Sequence, residues 1–152
     1  MRVALGFDHR GSHLREAVFA GVAAGGHEPV DLGVETDAVR VDYPDTARAV
    51  GMAIREGRAE RGVLVCGSGV GASVAACKIP GIRAACAHDH YTAGQCVSHD
   101  DVNVLCLGAR VVGPALAAEI VAAFSLAEFS GEERHVRRLG KIKAIEDEFS
   151  KG

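Results

Sequence analysis

Gly62-Val63-Leu64-Val65-Cys66-Gly67-Ser68-Gly69-Val70-Gly71 is the stretch that decides the fold. Its first half is apolar or small at every position, the pattern of a strand buried on both faces, and such strands belong to parallel sheets covered by helices. The strand runs directly into a glycine-rich turn and an Ala-rich helix reaching Lys78. The same strand-then-helix alternation recurs on either side. Arg2–Phe7 reads as a first strand, followed by a helix with Leu14, Val18 and Val22 at i, i+4 and i+8, Ser12 placed to cap it and Gly25-Gly26 to stop it. Val30–Leu32 is a short second strand, followed by an acidic loop and a helix over about 44–56, with Pro44 tolerated in its first turn. Ile82–Ala87 and Val104–Leu107 complete the strands, with helices expected at about 91–99, 114–124 and 132–149. This alternation predicts an α/β, Rossmann-like three-layer sandwich with a five-stranded parallel sheet.

The 152 residues suit one domain spanning 1–152, with no linker or repeat. Hydrophobic residues at 48% and charged residues at 24% are globular values, far from the composition of disorder. A net charge of −3 leaves no electrostatic footprint for nucleic acid. The apolar runs, such as Val111–Phe124, fall short of the ~20 residues needed to span a bilayer, and the first residues lack the long apolar stretch of an export signal. Five cysteines, odd in number and without a CxxC pair, fit reduced thiols in a cytoplasmic protein.

In an open parallel sheet, ligands collect where strand carboxyl ends meet helix N-termini. Asp8-His9, Cys66–Gly71 and Arg110 all fall at such ends. The turn after Cys66 leaves backbone N–H groups uncovered and able to close on an anion. Three other readings of it stand. Gly67-x-Gly69-x-x-Ala72 with Asp89 about 20 residues on fits a dinucleotide fingerprint, and hence a nucleotide-binding module. A cysteine phosphatase loop is a second, although Ala72 and Ser73 stand where its arginine belongs. Tight helix–sheet packing alone is the third. A thiol just before a helix N-terminus is biased toward thiolate, which makes Cys66 the best candidate base or nucleophile; buried strand-end cysteines are otherwise inert, as expected of Cys77, Cys86, Cys96 and Cys106. His9 and His99 each adjoin an acidic residue at an element end, where imidazole can serve as acid or phosphate partner. His88 and His90 flank Asp89, but no ligand set at a recognised spacing accompanies them, so no metal is expected. Arg134 and Arg138 stand one helical turn apart and can reach a single dianion; with Arg137, Lys141 and Lys143 nearby, they can equally be a solvated basic face.

Asp8-His9-x-Gly11, Asp42-Tyr43-Pro44, Cys66–Gly71, His99-Asp100-x-x-Asn103, Gly108-x-Arg110 and Arg134-His135-x-x-Arg138 together, in this order, resemble the type B ribose 5-phosphate isomerases and the related galactose 6-phosphate isomerase subunits. The resemblance implies aldose–ketose interconversion of ribose 5-phosphate and ribulose 5-phosphate through a cis-enediolate, with neither metal nor other cofactor. It assigns Cys66 as the base, Ser68 as a supporting hydroxyl, and the backbone of Gly67, Ser68, Gly69, Val70 and Gly71 as the anion hole. His99 matches the acid that opens the sugar ring. Asp8, His9, Asp100, Arg110, Arg134 and Arg138 match substrate and phosphate contacts. A homodimer or homotetramer follows, each site completed by a neighbouring subunit. Two positions distinguish this chain: Ala72 stands where another branch, lacking the cysteine, has a carboxylate, and Asp100 stands where the family has Asn. A carboxylate at 100 repels an anionic intermediate unless it is protonated or paired. Galactose 6-phosphate or a tetrose phosphate remains an alternative substrate.

Overall fold

The computed structural model describes residues 1–150. Five strands, β1 (Arg2–Phe7), β2 (Glu28–Asp31), β3 (Arg61–Cys66), β4 (Ala84–Cys86) and β5 (Val104–Gly108), form one parallel sheet in the order β2-β1-β3-β5-β4. Six α-helices accompany them: α1 (Arg15–Ala24), α2 (Tyr43–Arg55), α3 (Val70–Ala76), α4 (His90–Asp100), α5 (Pro114–Leu126) and α6 (Glu133–Phe149).

Alternation along β3 divides the interior into two cores. Val63 and Val65 point to the layer of α1, α4 and α5, where Val18, Val22, Val97, Ile120, Val121 and Phe124 pack. Leu64 and Cys66 point to the opposite layer, against Ala47, Val50 and Ala53 of α2 and Ala72 and Ala76 of α3. Each crossover must be right-handed, so the direction in which the chain steps along the sheet dictates which face its helix covers. The expected three-layer sandwich and five parallel strands are therefore present. Helix α6 lies outside these layers and touches mainly α4.

Ser12 does not cap α1. It lies in a 3-10 turn, Gly11–Leu14, its hydroxyl donates to the His9 carbonyl at 2.9 Å, and α1 begins at Arg15 without a side-chain cap. Asp8 explains the shift: its carboxylate accepts the N–H groups of Arg10 and Gly11 at 2.9 and 2.8 Å, tightening the turn before the helix can start. Strand β2 begins two residues earlier than its apolar residues suggest, because pairing with Arg2–Leu5 extends over Glu28 and Pro29. No helix among the described residues is long and apolar enough to cross a membrane.

Phe124 is fully buried, and its carbonyl accepts from Arg61, whose guanidinium also reaches the Ala127 carbonyl at 2.7 Å and caps the end of α5. Phe124→Ala is expected to lower unfolding free energy in urea by about 3–5 kcal/mol. A loss below ~1 kcal/mol contradicts this packing.

Candidate active site

The chain steps from β1 outward to β2 and then returns past β1 to β3, so β1 and β3 are the neighbours between which the winding reverses. A crevice opens at the carboxyl ends of such a pair. Asp8 and His9 follow β1 and Cys66 ends β3, and all three line one cavity of about 490 Å³ with Gly67, Ser68, Gly71 and Arg110. This volume suits a small-molecule site.

The turn after Cys66 is held from below. Gly69 adopts φ +81°, and a Cβ there would lie 2.8 Å from the Cys86 sulfur and 3.0 Å from the Leu107 backbone. Gly108 sits under Ser68, where a Cβ would come within 2.7 Å of its carbonyl. The Gly108 N–H donates to His88 Nε2 at 2.9 Å, and the Arg110 N–H donates to the Gly67 carbonyl at 3.0 Å. The turn is thus pinned to the end of β5 by backbone contacts that leave its own upper face open.

The Gly69 N–H donates to the Cys66 sulfur at 3.1 Å, and the Val70 N–H to the Ser68 hydroxyl at 3.2 Å. These two amides are occupied within the turn, and Val70 is exposed, away from the cavity. The amides of Gly67, Ser68 and Gly71 have no hydrogen-bond partner among the described residues, and all three residues line the cavity. They are the groups able to hold an oxyanion. Of the other cysteines, Cys106 and Cys96 are pushed up by burial, Cys96 to about 11 with Asp100 adding to the effect; Cys86 is raised by burial and then by Cys66.

Around the thiol, the Asp8 carboxylate is buried with one oxygen committed to the turn. His9 Nδ1 lies 3.2 Å from the Val41 carbonyl and 3.4 Å from the Val41 N–H, so both contacts are made by Nδ1 and Nε2 has no partner among the described residues. Arg10, Arg40 and Tyr43 also line the cavity, and sequence reasoning gave them no role. Arg10 lays its aliphatic stem along Gly67, while the Tyr43 ring covers Gly71 so closely that a Cβ there would meet Cζ at 2.6 Å. For Tyr43 a signal existed, the Asp42-Tyr43-Pro44 motif. Arg40, in an acidic loop, offered none.

His99, Asp100, Arg134 and Arg138 are not part of this cavity. Helix α4 starts beside the carboxyl end of β4 and runs back along the sheet for 11 residues, about 16 Å at 1.5 Å per residue, so its last residues lie at the opposite edge from Cys66. There they form a second cluster with the start of α6. The rings of His99 and His135 stack at 4.2 Å, Gln95 bonds His99 Nδ1 at 3.0 Å, and Arg134 bonds His135 Nε2 at 3.3 Å. Asp100 forms no ion pair among the described residues, nor does Arg138, while Arg134 pairs with Glu132 at 3.2 Å. Asn103 is structural, its amide tying Gly81 to Arg83.

The dinucleotide reading fails on topology. Strand β4, next in sequence after the glycine turn, is not the neighbour of β3, and Asp89 accepts the Thr92 N–H at 2.7 Å as the N-cap of α4. His88 is committed to Gly108.

The profile of the Ribose/Galactose Isomerase family matches residues 3–142. Ribose-5-phosphate isomerase B of Escherichia coli is 41% identical over 145 residues, 95% of this chain and 96% of that protein. D-erythrulose-4-phosphate isomerase of Pectobacterium atrosepticum is 37% identical over 131 residues, 86% of each chain. The type B ribose 5-phosphate isomerase structure from Trypanosoma cruzi superposes with a TM-score of 0.93 at 46% identity, covering 97% of this chain and 99% of that one. With its glycine turn, its sheet order and its sequence agreeing across nearly the whole length, this chain belongs to the Ribose/Galactose Isomerase family of sugar phosphate isomerases.

Proposed function

We propose that the protein interconverts ribose 5-phosphate and ribulose 5-phosphate through an enediolate, with Cys66 as the base. One observation carries the reading: a thiol that accepts an amide hydrogen bond and the unpartnered amides of Gly67, Ser68 and Gly71 share a single cavity. The stepwise chemistry uses each group once. The His99 imidazolium gives its Nε2 proton to the ring oxygen and is left neutral, the C1–O bond breaks with its electron pair moving to that oxygen, and the C1 hydroxyl proton leaves to solvent as the aldehyde forms. The Cys66 thiolate then removes the C2 proton. The C–H electron pair becomes the C1=C2 bond, and the carbonyl pair moves onto O1. The Ser68 and Gly71 amides hold that oxyanion, the Ser68 hydroxyl assists proton movement between O2 and O1, and the Cys66 S–H returns its proton to C1 as the C2 carbonyl forms.

One oxyanion donor contributes roughly 10²–10³ in rate, about 2.7–4 kcal/mol. Two exceed what a modest change in thiol acidity can supply. No step in this scheme calls for a metal or a nucleotide.

Because His99, Asp100, Arg134 and Arg138 lie at the far edge of their own sheet, the reading requires a second copy of the chain to bring them to Cys66. Two features support such an assembly. Val136, Ile142, Ile145 and Phe149 of α6 are 46–77% exposed. Between α6 and the β4 edge runs a largely apolar groove of about 1070 Å³ that contains no group of the Cys66 cavity. Arg134 and Arg138 of the second copy then hold the phosphate, each charge-assisted hydrogen bond contributing about 1.5–3 kcal/mol at the non-reacting end. Five free cysteines fit a cytoplasmic setting.

The relative that acts on erythrulose 4-phosphate makes a four-carbon sugar phosphate the second substrate to weigh. In a ribose 5-phosphate assay containing EDTA, Cys66→Ala is expected to lose about 10²-fold or more in kcat. Activity within about threefold of the unaltered protein refutes the base assignment. Faster turnover of a four- or six-carbon phosphate by the unaltered protein replaces the substrate while leaving the chemistry standing.

A further inference from the structure

We infer that His135 is a positioning residue that holds the His99 imidazole in the orientation needed to protonate the sugar ring oxygen, through a buried ring stack whose own tautomer is fixed by Ser130 and Arg134. The inference rests on the reading of His99 as ring-opening acid and adds a residue to it.

His135 is 1% exposed, the only buried residue of α6. Its ring stacks on His99 with centroids 4.2 Å apart and planes inclined by 26°. Both of its nitrogens are engaged. Arg134 Nε can only donate, so at 3.3 Å His135 Nε2 accepts. The ring proton therefore sits on Nδ1 and is donated to the Ser130 hydroxyl at 2.6 Å. That hydroxyl also accepts the Glu132 N–H at 3.2 Å, so its lone pairs are filled from both sides and it cannot rotate freely. A second proton on His135 has nowhere to go, because Nε2 already faces an arginine N–H. Burial, and then the charges of His99 and Arg134, hold its basicity below the usual imidazole range.

A neutral ring is what the acid needs beside it. His99 passes through a positive state while it carries the proton for transfer, and a neutral aromatic face attracts that cation where a charged one repels it. The Gln95 side-chain amide, one turn earlier on α4, meets His99 Nδ1 at 3.0 Å and leaves Nε2 facing outward from that contact. His135 fixes the plane of the ring and Gln95 fixes its rotation within that plane. Both groups belong to the same chain as His99, so the assembled acid travels as a unit to whichever Cys66 it serves. The Ser130 N–H donates to the Ser98 carbonyl at 3.0 Å, which locks the loop carrying Ser130 to the residue next to His99.

The test separates ring opening from proton abstraction. Ribulose 5-phosphate is open-chain, since the hydroxyl that would close a furanose onto C2 is phosphorylated, so exchange of its C1 hydrogen with D₂O requires Cys66 but no ring-opening acid. Four proteins are compared with the unaltered chain: His99→Asn, His135→Ala, His135→Phe and Ser130→Ala. His135→Ala is expected to lose tenfold or more in kcat for cyclic ribose 5-phosphate while deuterium exchange at saturating ribulose 5-phosphate stays within about twofold. His135→Phe, which restores a neutral stacking face, recovers part of that loss. Ser130→Ala, at an exposed position that leaves the core intact, shows the same selective loss to a smaller degree. Unchanged ribose 5-phosphate turnover in His135→Ala, with His99→Asn impaired, overturns this inference alone. Equal losses in both assays overturn it too, by showing a general structural role. If His99→Asn itself turns over ribose 5-phosphate normally, the reading of His99 fails and the inference falls with it.

Discussion

Everything in this molecule depends on all five strands running the same way. Parallel strands put every strand-to-helix turn at one edge and every helix-to-strand return at the other. The first edge is where backbone N–H groups are left over, and there Asp8, His9, Cys66 and the glycine turn converge. The second edge receives the end of α4, and with it His99. On the proposed reading these are two half-sites, and one chain cannot close them on itself. The same constraint that creates the thiol cavity removes the acid from it.

Within the first half-site, the packing under the turn does the chemical work at one remove. Gly69 and Gly108 allow the turn to rest directly on β5, and the His88 ring holds the Gly108 amide. The result is a turn held by backbone contacts, with its unpartnered amides in residues that line the cavity. Preorganisation of this kind contributes to rate because no free energy goes to reorienting donors as charge develops. The thiol is held by the same loop, through the Gly69 N–H, so the proposed base and the proposed oxyanion donors share one frame. Other cysteines lack that frame. Cys96 and Cys106 are enclosed by apolar neighbours and kept as thiols.

Much of this was legible in the sequence. The apolar run before Cys66 declared a doubly buried strand, and the alternation around it gave the sheet, its layers and the position of the crevice. Motif resemblance pointed to the family, and the comparisons agree. What sequence reading missed has physical causes. Ser12 had the right residue type for a helix cap, yet Asp8 captured the preceding turn first, an arrangement set by tertiary position. Asp89 matched a nucleotide fingerprint by spacing alone; strand order, which sequence spacing does not encode, separated it from the glycine turn. The amides of Gly69 and Val70 appeared available because bonds inside a turn leave no trace in composition. Arg40 and Tyr43 reach the cavity on either side of Val41, whose backbone meets His9, a contact between distant parts of the chain. His135 stood inside a recognised motif, but its role lies in a stack between two helices that no periodicity foretells.

The central claim is that one working site takes its thiol from one chain and its histidine from another, and subunit mixing tests it most directly. Cys66→Ala and His99→Asn proteins, each nearly inactive, are unfolded together, refolded in equal amounts and assayed with ribose 5-phosphate. Random pairing makes half the dimers mixed, and each mixed dimer holds one intact site, so activity is expected to recover to about a quarter of that of the unaltered protein. Failure to recover activity, with mixed dimers demonstrated by mass spectrometry, contradicts the account.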